Sequence, residues 1–214
     1  MRQAIFEFGA GFYDRAVGEL GPWREHCGTL AEHLPAGAER VLDLGTGPGV
    51  SAFAVAQGAP ATHVLGLDLS RRMLAHAARH RARLGARRTS FVRADAVQLP
   101  LRDACVDAVT GHSFLYLVPE RKLALAEAVR VLRPGGRAIF LEPRVGAALT
   151  PGLRTWLREP HFAWIMTQWH LFGRWAGRFS EDGICALLSS AGLRMISCTP
   201  RLRGYGWLAI AERP

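Results

Sequence analysis

Four polar side chains stand where apolar runs end. They are Asp43 in Val41-Leu42-Asp43-Leu44, Asp68 in Val64-Leu65-Gly66-Leu67-Asp68, Asp95 after Phe91-Val92-Arg93-Ala94, and His112 with Ser113 beside it. The first leads into a turn, Gly45-Thr46-Gly47-Pro48-Gly49, whose glycines remove Cβ where positive φ is needed or where a ligand must lie against bare backbone. Val50 to Gln57 then reads as a helix start, so strand, glycine turn and helix together form a nucleotide-binding opening. A dinucleotide fingerprint would be G-x-G-x-x-G with a pyrophosphate at the helix N-terminus, whereas this chain has G-x-G-x-G. Asp43 precedes the first glycine by two residues. A carboxylate there repels phosphate and accepts hydrogen bonds from an ammonium, directly or through water, so the turn suits a zwitterionic amino-acid tail.

Asp68 lies 21 residues after Gly47, the spacing at which a strand-end carboxylate reaches both hydroxyls of a ribose. Ser70 is the better N-cap for the helix that follows. His112 is the leading candidate for a general base, which would be poised near neutral pH, and a hydrogen-bonded structural histidine is the commoner reading of a lone His in a cleft. Tyr13 and Glu142 are weaker choices, and His161 and His170 lie farther along. Cys27, Cys105, Cys185 and Cys198 are scattered without zinc spacing and read as reduced thiols, and no Asp/Asn set suits magnesium, so no metal is expected.

These residues need a scaffold that brings strand ends together, and the hydrophobic pattern supplies one. Strands are expected at 40–44, 63–68, 89–94, 106–112 and 137–142, with helices at 50–57, 70–84 and 119–132 between them. Such alternation implies parallel pairing with right-handed crossovers, and ligands then bind beyond the carboxyl ends of the strands. Two helices joined at Gly21-Pro22 precede this core over residues 4–34, and a helix at 180–191 with strands at 194–199 and 205–211 follows it.

The ordered set Asp43-Leu44-Gly45-Thr46-Gly47-Pro48-Gly49, Gly66-Leu67-Asp68-Leu69-Ser70 with Met73, Phe91-Val92-Arg93-Ala94-Asp95-Ala96, and Leu132-Arg133-Pro134-Gly135-Gly136-Arg137 resembles the class I S-adenosylmethionine-dependent methyltransferases. The resemblance is to the small-molecule, UbiE-like group with a methyltransferase type 11 domain, and it covers residues 40–143. It implies an α/β, Rossmann-like, doubly wound sheet of seven strands with the last antiparallel. N-terminal helices (1–37), a helical cap inserted after strand five (145–179) and a C-terminal helix with a strand pair (180–214) would complete one methyltransferase domain. The implied cofactor is S-adenosylmethionine, converted to S-adenosylhomocysteine.

On this resemblance the cofactor residues are Tyr13, Asp43, Gly45, Thr46, Gly47, Gly49, Asp68, Leu69, Met73, Asp95, Ala96 and Ser113. Asp95 would accept from the adenine amine and the Ala96 N–H would donate to a ring nitrogen, with Leu69 and Met73 as apolar faces. Phe12-Tyr13-Asp14 resembles an element in which the tyrosine closes over the cofactor, and plain packing is an equal reading of Tyr13.

Residues 145–179 hold four of the six tryptophans, too many aromatics and too long a run for a plain connection. A substrate cap is favoured, with Phe162, Trp164, Trp169 and His170 facing the acceptor; a dimer contact and a surface that dips into a membrane stand behind it.

The 214 residues are enough for one domain with a sizeable core, and 49% hydrophobic with 21% charged residues is ordinary for a globular chain. The net charge of +9 does not indicate nucleic acid, because Lys122 is the only lysine and the arginines at 71–88 interleave with apolar residues as on a solvated helix face. The segment Gly111-His112-Ser113-Phe114 also lacks the [N/D]-P-P-[Y/F] element of amine-methylating DNA enzymes. The N-terminus does not read as a signal peptide and no apolar run is long enough to span a bilayer, so a cytoplasmic monomer or homodimer is expected. Methyl transfer to a small apolar or aromatic acceptor leads. A noncatalytic S-adenosylmethionine-binding protein, as sensor or accessory subunit, is its rival, and a nicotinamide dehydrogenase trails both.

Overall fold

The structure is a computed structural model and describes residues 21–214. Tyr13 and the first expected helix lie outside the described residues. What remains of the preamble is helix α1 (Gly21–Gly28), which begins at the expected Gly-Pro break, and a single 3-10 turn at Ala31–His33.

The strand–helix alternation follows in the expected order: β1 (Arg40–Leu44), α2 (Val50–Gly58), β2 (His63–Asp68), α3 (Arg71–Leu84), β3 (Thr89–Arg93), β4 (Val106–His112), α4 (Arg121–Val131) and β5 (Leu132–Pro143). Helices α5 (Leu153–Arg158) and α6 (Pro160–Ala176) occupy the aromatic window, and α7 (Glu181–Ser190), β6 (Arg194–Arg201) and β7 (Gly206–Glu212) close the chain. The seven strands form one sheet in the order β3-β2-β1-β4-β5-β7-β6, with β7 antiparallel to both of its neighbours. The central strands are apolar on both faces, as a sheet covered by helices on both sides requires: Val41, Leu42, Leu44, Val109, Ile139 and Phe140 are all buried.

Local chemistry explains the boundaries. The Ser70 hydroxyl accepts from the Met73 N–H at 3.2 Å as N-cap of α3, and Gly85 ends that helix at φ +60°. Along α3 only Met73 and Ala77 are buried, so its arginines form a solvated face.

The largest departure from expectation is β5, which begins at Leu132 rather than Arg137. The Pro-Gly-Gly segment does not precede the strand but makes an irregularity within it, between the pairs Val106–Leu132 and Ala108–Arg137. The Gly135 N–H donates to Arg213 O and the Arg213 N–H donates to Gly136 O, which stitches the irregularity to the end of the chain. Helix α6 packs inward. Phe162, Ala163, Ile165, Met166, Trp169, His170, Gly173 and Ala176 recur at helical spacing and are buried, in contact with β5 and α1.

Candidate active-site cleft

Strand order reverses between β1 and β4, and a cleft of about 790 Å³ opens over the carboxyl ends of the strands there. Its floor is the glycine turn. Gly45 at φ +64° packs so closely that a Cβ would lie 2.6 Å from the Phe114 ring, whereas a Cβ on Gly47, at φ +52°, would meet nothing within 4 Å. Gly45 is therefore closed by the protein, and Gly47 opens onto the cleft it lines. Gly49, at φ +90°, caps α2.

Asp68 organises this turn. Its Oδ2 accepts from the Gly47 N–H and its Oδ1 from the Ser70 N–H, both at 2.8 Å. The Gly47 amide, which a phosphate-binding turn would direct at its ligand, is thus engaged by the chain's own carboxylate. Asp43 lies beneath. It is fully buried, with Oδ2 accepting from Ser51 Oγ at 2.6 Å and Oδ1 from Thr110 Oγ1 at 2.9 Å, so it ties β1 to α2 and β4. Burial raises its pKa, and the hydroxyl hydrogen bonds oppose that rise.

The far wall is the segment after β4. His112 is buried, its ring 6.0 Å from that of Trp169 and within 18° of parallel, and Nδ1 lies 3.0 Å from Ser113 Oγ. Burial, reinforced by the charge of His26, pushes the imidazole down to about 3. At neutral pH it is uncharged and a weak base, not one poised near neutrality. Ser113 holds a left-handed backbone at φ +56°, and its N–H donates to Leu141 O at 2.9 Å.

The segment is clamped by Glu142, a fully buried carboxylate at the end of β5. Oε1 accepts from the N–H groups of Phe114 at 3.0 Å and Leu115 at 2.7 Å, and Oε2 from that of Tyr116 at 3.3 Å. Burial pushes its pKa up to about 7, against those three donors and the Arg121 guanidinium.

Asp68, Asp95 and Glu120 face the cleft, and Arg121 is the one cation among the described lining residues. The field there is acidic and suits a cationic or zwitterionic ligand.

Comparison with known proteins agrees with this geometry. Residues 41–136 match a family described as a methyltransferase domain. Over 144 residues the chain is 40% identical to a demethylmenaquinone methyltransferase of Clavibacter sepedonicus, covering 65% of this chain and 56% of that one. It is 30% identical over 164 residues to an arsenite methyltransferase of Halobacterium salinarum, covering 76% and 39% respectively. The crystal structure of the [4+2]-cyclase SpnF superposes with a TM-score of 0.77 at 19% identity, covering 100% of this chain and 97% of that one, which is a likeness of fold. Residues 41–136 form the core of a class I S-adenosylmethionine-dependent methyltransferase. The chain spans about half the length of the curated relatives it matches. Such a core implies S-adenosylmethionine as cofactor, and the acid-lined cleft with its bare Gly47 backbone fits that cation.

Of the residues that the sequence picked out, Gly45, Gly47, Asp68, Leu69, Met73, Asp95, Ala96, His112 and Ser113 line the cleft together. Asp95 is exposed and its Oδ1 accepts from the Val97 N–H at 3.1 Å. Asp43, Thr46 and Gly49 shape the turn without being among its lining residues, and Tyr13 is outside the described residues. Phe162, Trp164, Trp169 and His170 are not brought to the wall. Phe162 and His170 are turned toward Tyr205, the residue before β7, with the Phe162 ring 6.5 Å from that of Tyr205 and His170 Nε2 donating to Tyr205 O at 2.8 Å. Trp169 backs His112 from behind.

The cap reaches the cleft through Trp175 instead, which sequence reasoning passed over along with Phe114, Leu117, Val118 and Arg121. A signal for the segment after β4 was available in the strand-end rule, applied only as far as Ser113. Glu142 carried one too: a lone acid closing an apolar strand needs donors, and the nearest backbone ends are those of β4.

Proposed function

We propose that this chain transfers a methyl group from S-adenosylmethionine to a small, apolar or aromatic acceptor and releases S-adenosylhomocysteine, acting as one methyltransferase domain without a metal. The observation that carries the cofactor assignment is the Asp68–Gly47 hydrogen bond, which sets a carboxylate where a dinucleotide's pyrophosphate would need a free amide. A carboxylate oxygen can accept more than one hydrogen bond, so Asp68 is assigned to the ribose hydroxyls as well. Asp95 and the Ala96 N–H are assigned to the adenine edge, and Leu69 and Met73 to its faces. Gly45, Gly47 and Ser113 are assigned to the amino-acid tail, with Thr46, Gly49 and Asp43 supporting the turn from beneath, and Tyr13 is retained as a closing residue.

When bound, the cofactor supplies an electrophilic methyl on a sulfonium, so the chain's task is to aim an acceptor and keep water out. Phe114, Leu117, Val118, Pro119 and Trp175 favour an apolar or aromatic acceptor on the wall opposite the acids. The relatives' names include both demethylmenaquinone and arsenite methyltransferases, and this wall favours the ring. His112, neutral at pH 7, is assigned to orienting the acceptor rather than to taking its proton. Phe162, Trp164, Trp169 and His170 support the cap that presents Trp175. Trp156 and Trp164 are not among the residues lining the cleft, which favours turnover over a sealed binding protein.

Calorimetry with S-adenosylhomocysteine and NAD, followed by transfer of isotopically labelled methyl to aromatic acceptors, tests the proposal. Tight NAD binding without a response to S-adenosylhomocysteine refutes the cofactor, and cofactor binding with no labelled product across the panel favours the noncatalytic reading.

A further inference from the structure

Of the ten large hydrophobic side chains exposed among the described residues, six lie between Val145 and Trp175. That concentration marks the cap as a surface of its own kind, since single exposed leucines scattered over a protein need no explanation. Helix α5 carries the extreme case. Leu153 and Leu157, one turn apart, are 74% and 75% exposed, and Arg154 and Arg158, also one turn apart, are exposed beside them. The helix is held in this pose rather than loose: Thr150 Oγ1 takes the Trp156 Nε1–H at 3.0 Å and lies 2.8 Å from Thr167 Oγ1 on α6.

From Thr167 the apolar row continues along α6 at four-residue intervals through Leu171, 53% exposed, to Trp175, 47% exposed, which lines the cleft. Arg174 is exposed in the same turn. The one acid of the window, Glu159, is paired with Arg203 at 2.5 Å.

We propose that this face of the cap, Leu149, Leu153, Leu157 and Leu171 with Arg154, Arg158 and Arg174, docks on the surface of an anionic lipid bilayer, with Trp175 at the point where an apolar acceptor passes from lipid into the cleft. Leucines flanked by arginines are the makings of an interfacial helix: apolar side chains enter the acyl boundary while guanidinium groups meet lipid phosphates. Charge decides against a second copy as the occupant, because a two-fold contact would set the same arginines against each other with no acid free to answer them. The contact is peripheral, since no helix among the described residues is long and apolar enough to cross a membrane. Membrane contact, which ranked behind a substrate cap on sequence alone, is raised by the outward turn of these leucines. The acceptor's route rests on the proposed function; the docking does not.

The test is co-sedimentation of the full chain with mixed phosphatidylglycerol–phosphatidylcholine vesicles and with pure phosphatidylcholine vesicles, with S-adenosylhomocysteine titrated into the same samples. Binding to the mixed vesicles is expected to fall with added salt and to weaken by about tenfold or more in Leu153→Glu/Leu157→Glu, while S-adenosylhomocysteine affinity stays unchanged. No binding to mixed vesicles, or binding indifferent to the double substitution, overturns the inference. A wild-type dimer that the double variant splits, with no vesicle binding by either, assigns the face to a second copy and overturns it equally. Failure of the cofactor reading would appear separately, as absent S-adenosylhomocysteine binding.

Discussion

Replacing Glu142 with glutamine should reshape the pH dependence of stability, and the size and sign follow from where that carboxyl sits. It is fully buried with a pKa pushed up to about 7 from an ordinary 4.5. Between those values the folded chain holds a proton that the unfolded chain has released, so this group's contribution to stability falls as pH rises and is lost by pH 7. At ~1.4 kcal/mol per unit the whole fall amounts to ~3 kcal/mol. His112 runs the other way: its folded pKa of about 3 lies below the ordinary 6.5, so its contribution is lost as pH drops from 6.5 toward 3. The two slopes oppose each other between pH 4.5 and 6.5, which flattens the wild-type curve. Glu142→Gln removes only the falling limb. The amide also sets an N–H against one of the three donors, but that cost does not vary with pH. The difference in unfolding free energy between variant and wild type, measured by urea titration at a series of pH values, should therefore shift in the variant's favour by ~3 kcal/mol from pH 4.5 to 7.5. A difference that stays constant across that range would mean Glu142 titrates as an ordinary carboxyl, and the clamp argument fails.

Asp68→Ala should weaken S-adenosylhomocysteine binding by more than ~1 kcal/mol in calorimetry, and the released Gly47 and Ser70 amides should lower the melting temperature by a few degrees; an unchanged dissociation constant removes Asp68 from the site. Two glycines of the turn, one closed and one open, separate fold from function. Gly45→Ala drives a Cβ to 2.6 Å from Phe114 and should cost ~1–3 kcal/mol of stability, whereas Gly47→Ala meets no neighbour and should chiefly obstruct the ligand, as melting and calorimetry side by side will report. Trp169→Ala empties a buried site and should destabilise by ~3–5 kcal/mol, while Trp175→Ala should leave melting almost unchanged and slow turnover of an apolar acceptor. Equal melting losses in the two tryptophan variants would show that the cap's faces have been misassigned.

How far the chain could be read without coordinates depends on the range of the interaction involved. Strand order along the sequence, the helices between and the N-cap at Ser70 were legible, because each rests on a period, a cap or a turn set by neighbouring residues, whereas the antiparallel final strand was implied only by the resemblance to the methyltransferase family. The wall carrying Gly47, Asp68, Asp95 and His112 was legible as well: parallel strands bring their carboxyl ends to one edge whatever packs on them.

Tertiary structure alone decided the rest. Periodicity marks Phe162, Met166 and Trp169 as one stripe of α6 but cannot say that the stripe turns to the sheet, leaving Leu171 and Trp175 to solvent; that outcome is set by what β5 and α1 offer as a partner surface. Asp43 and Glu142 are ordinary acids in sequence. Only the approach of Ser51 and Thr110 to one, and of three amides after β4 to the other, turns them from candidate ligands of a substrate into supports of the backbone that would hold it. His112 is the sharpest instance. A histidine at a strand end reads as a base near neutrality, yet desolvation by every element around it, Trp169 included, determines the charge it can carry, and no residue spacing encodes that sum.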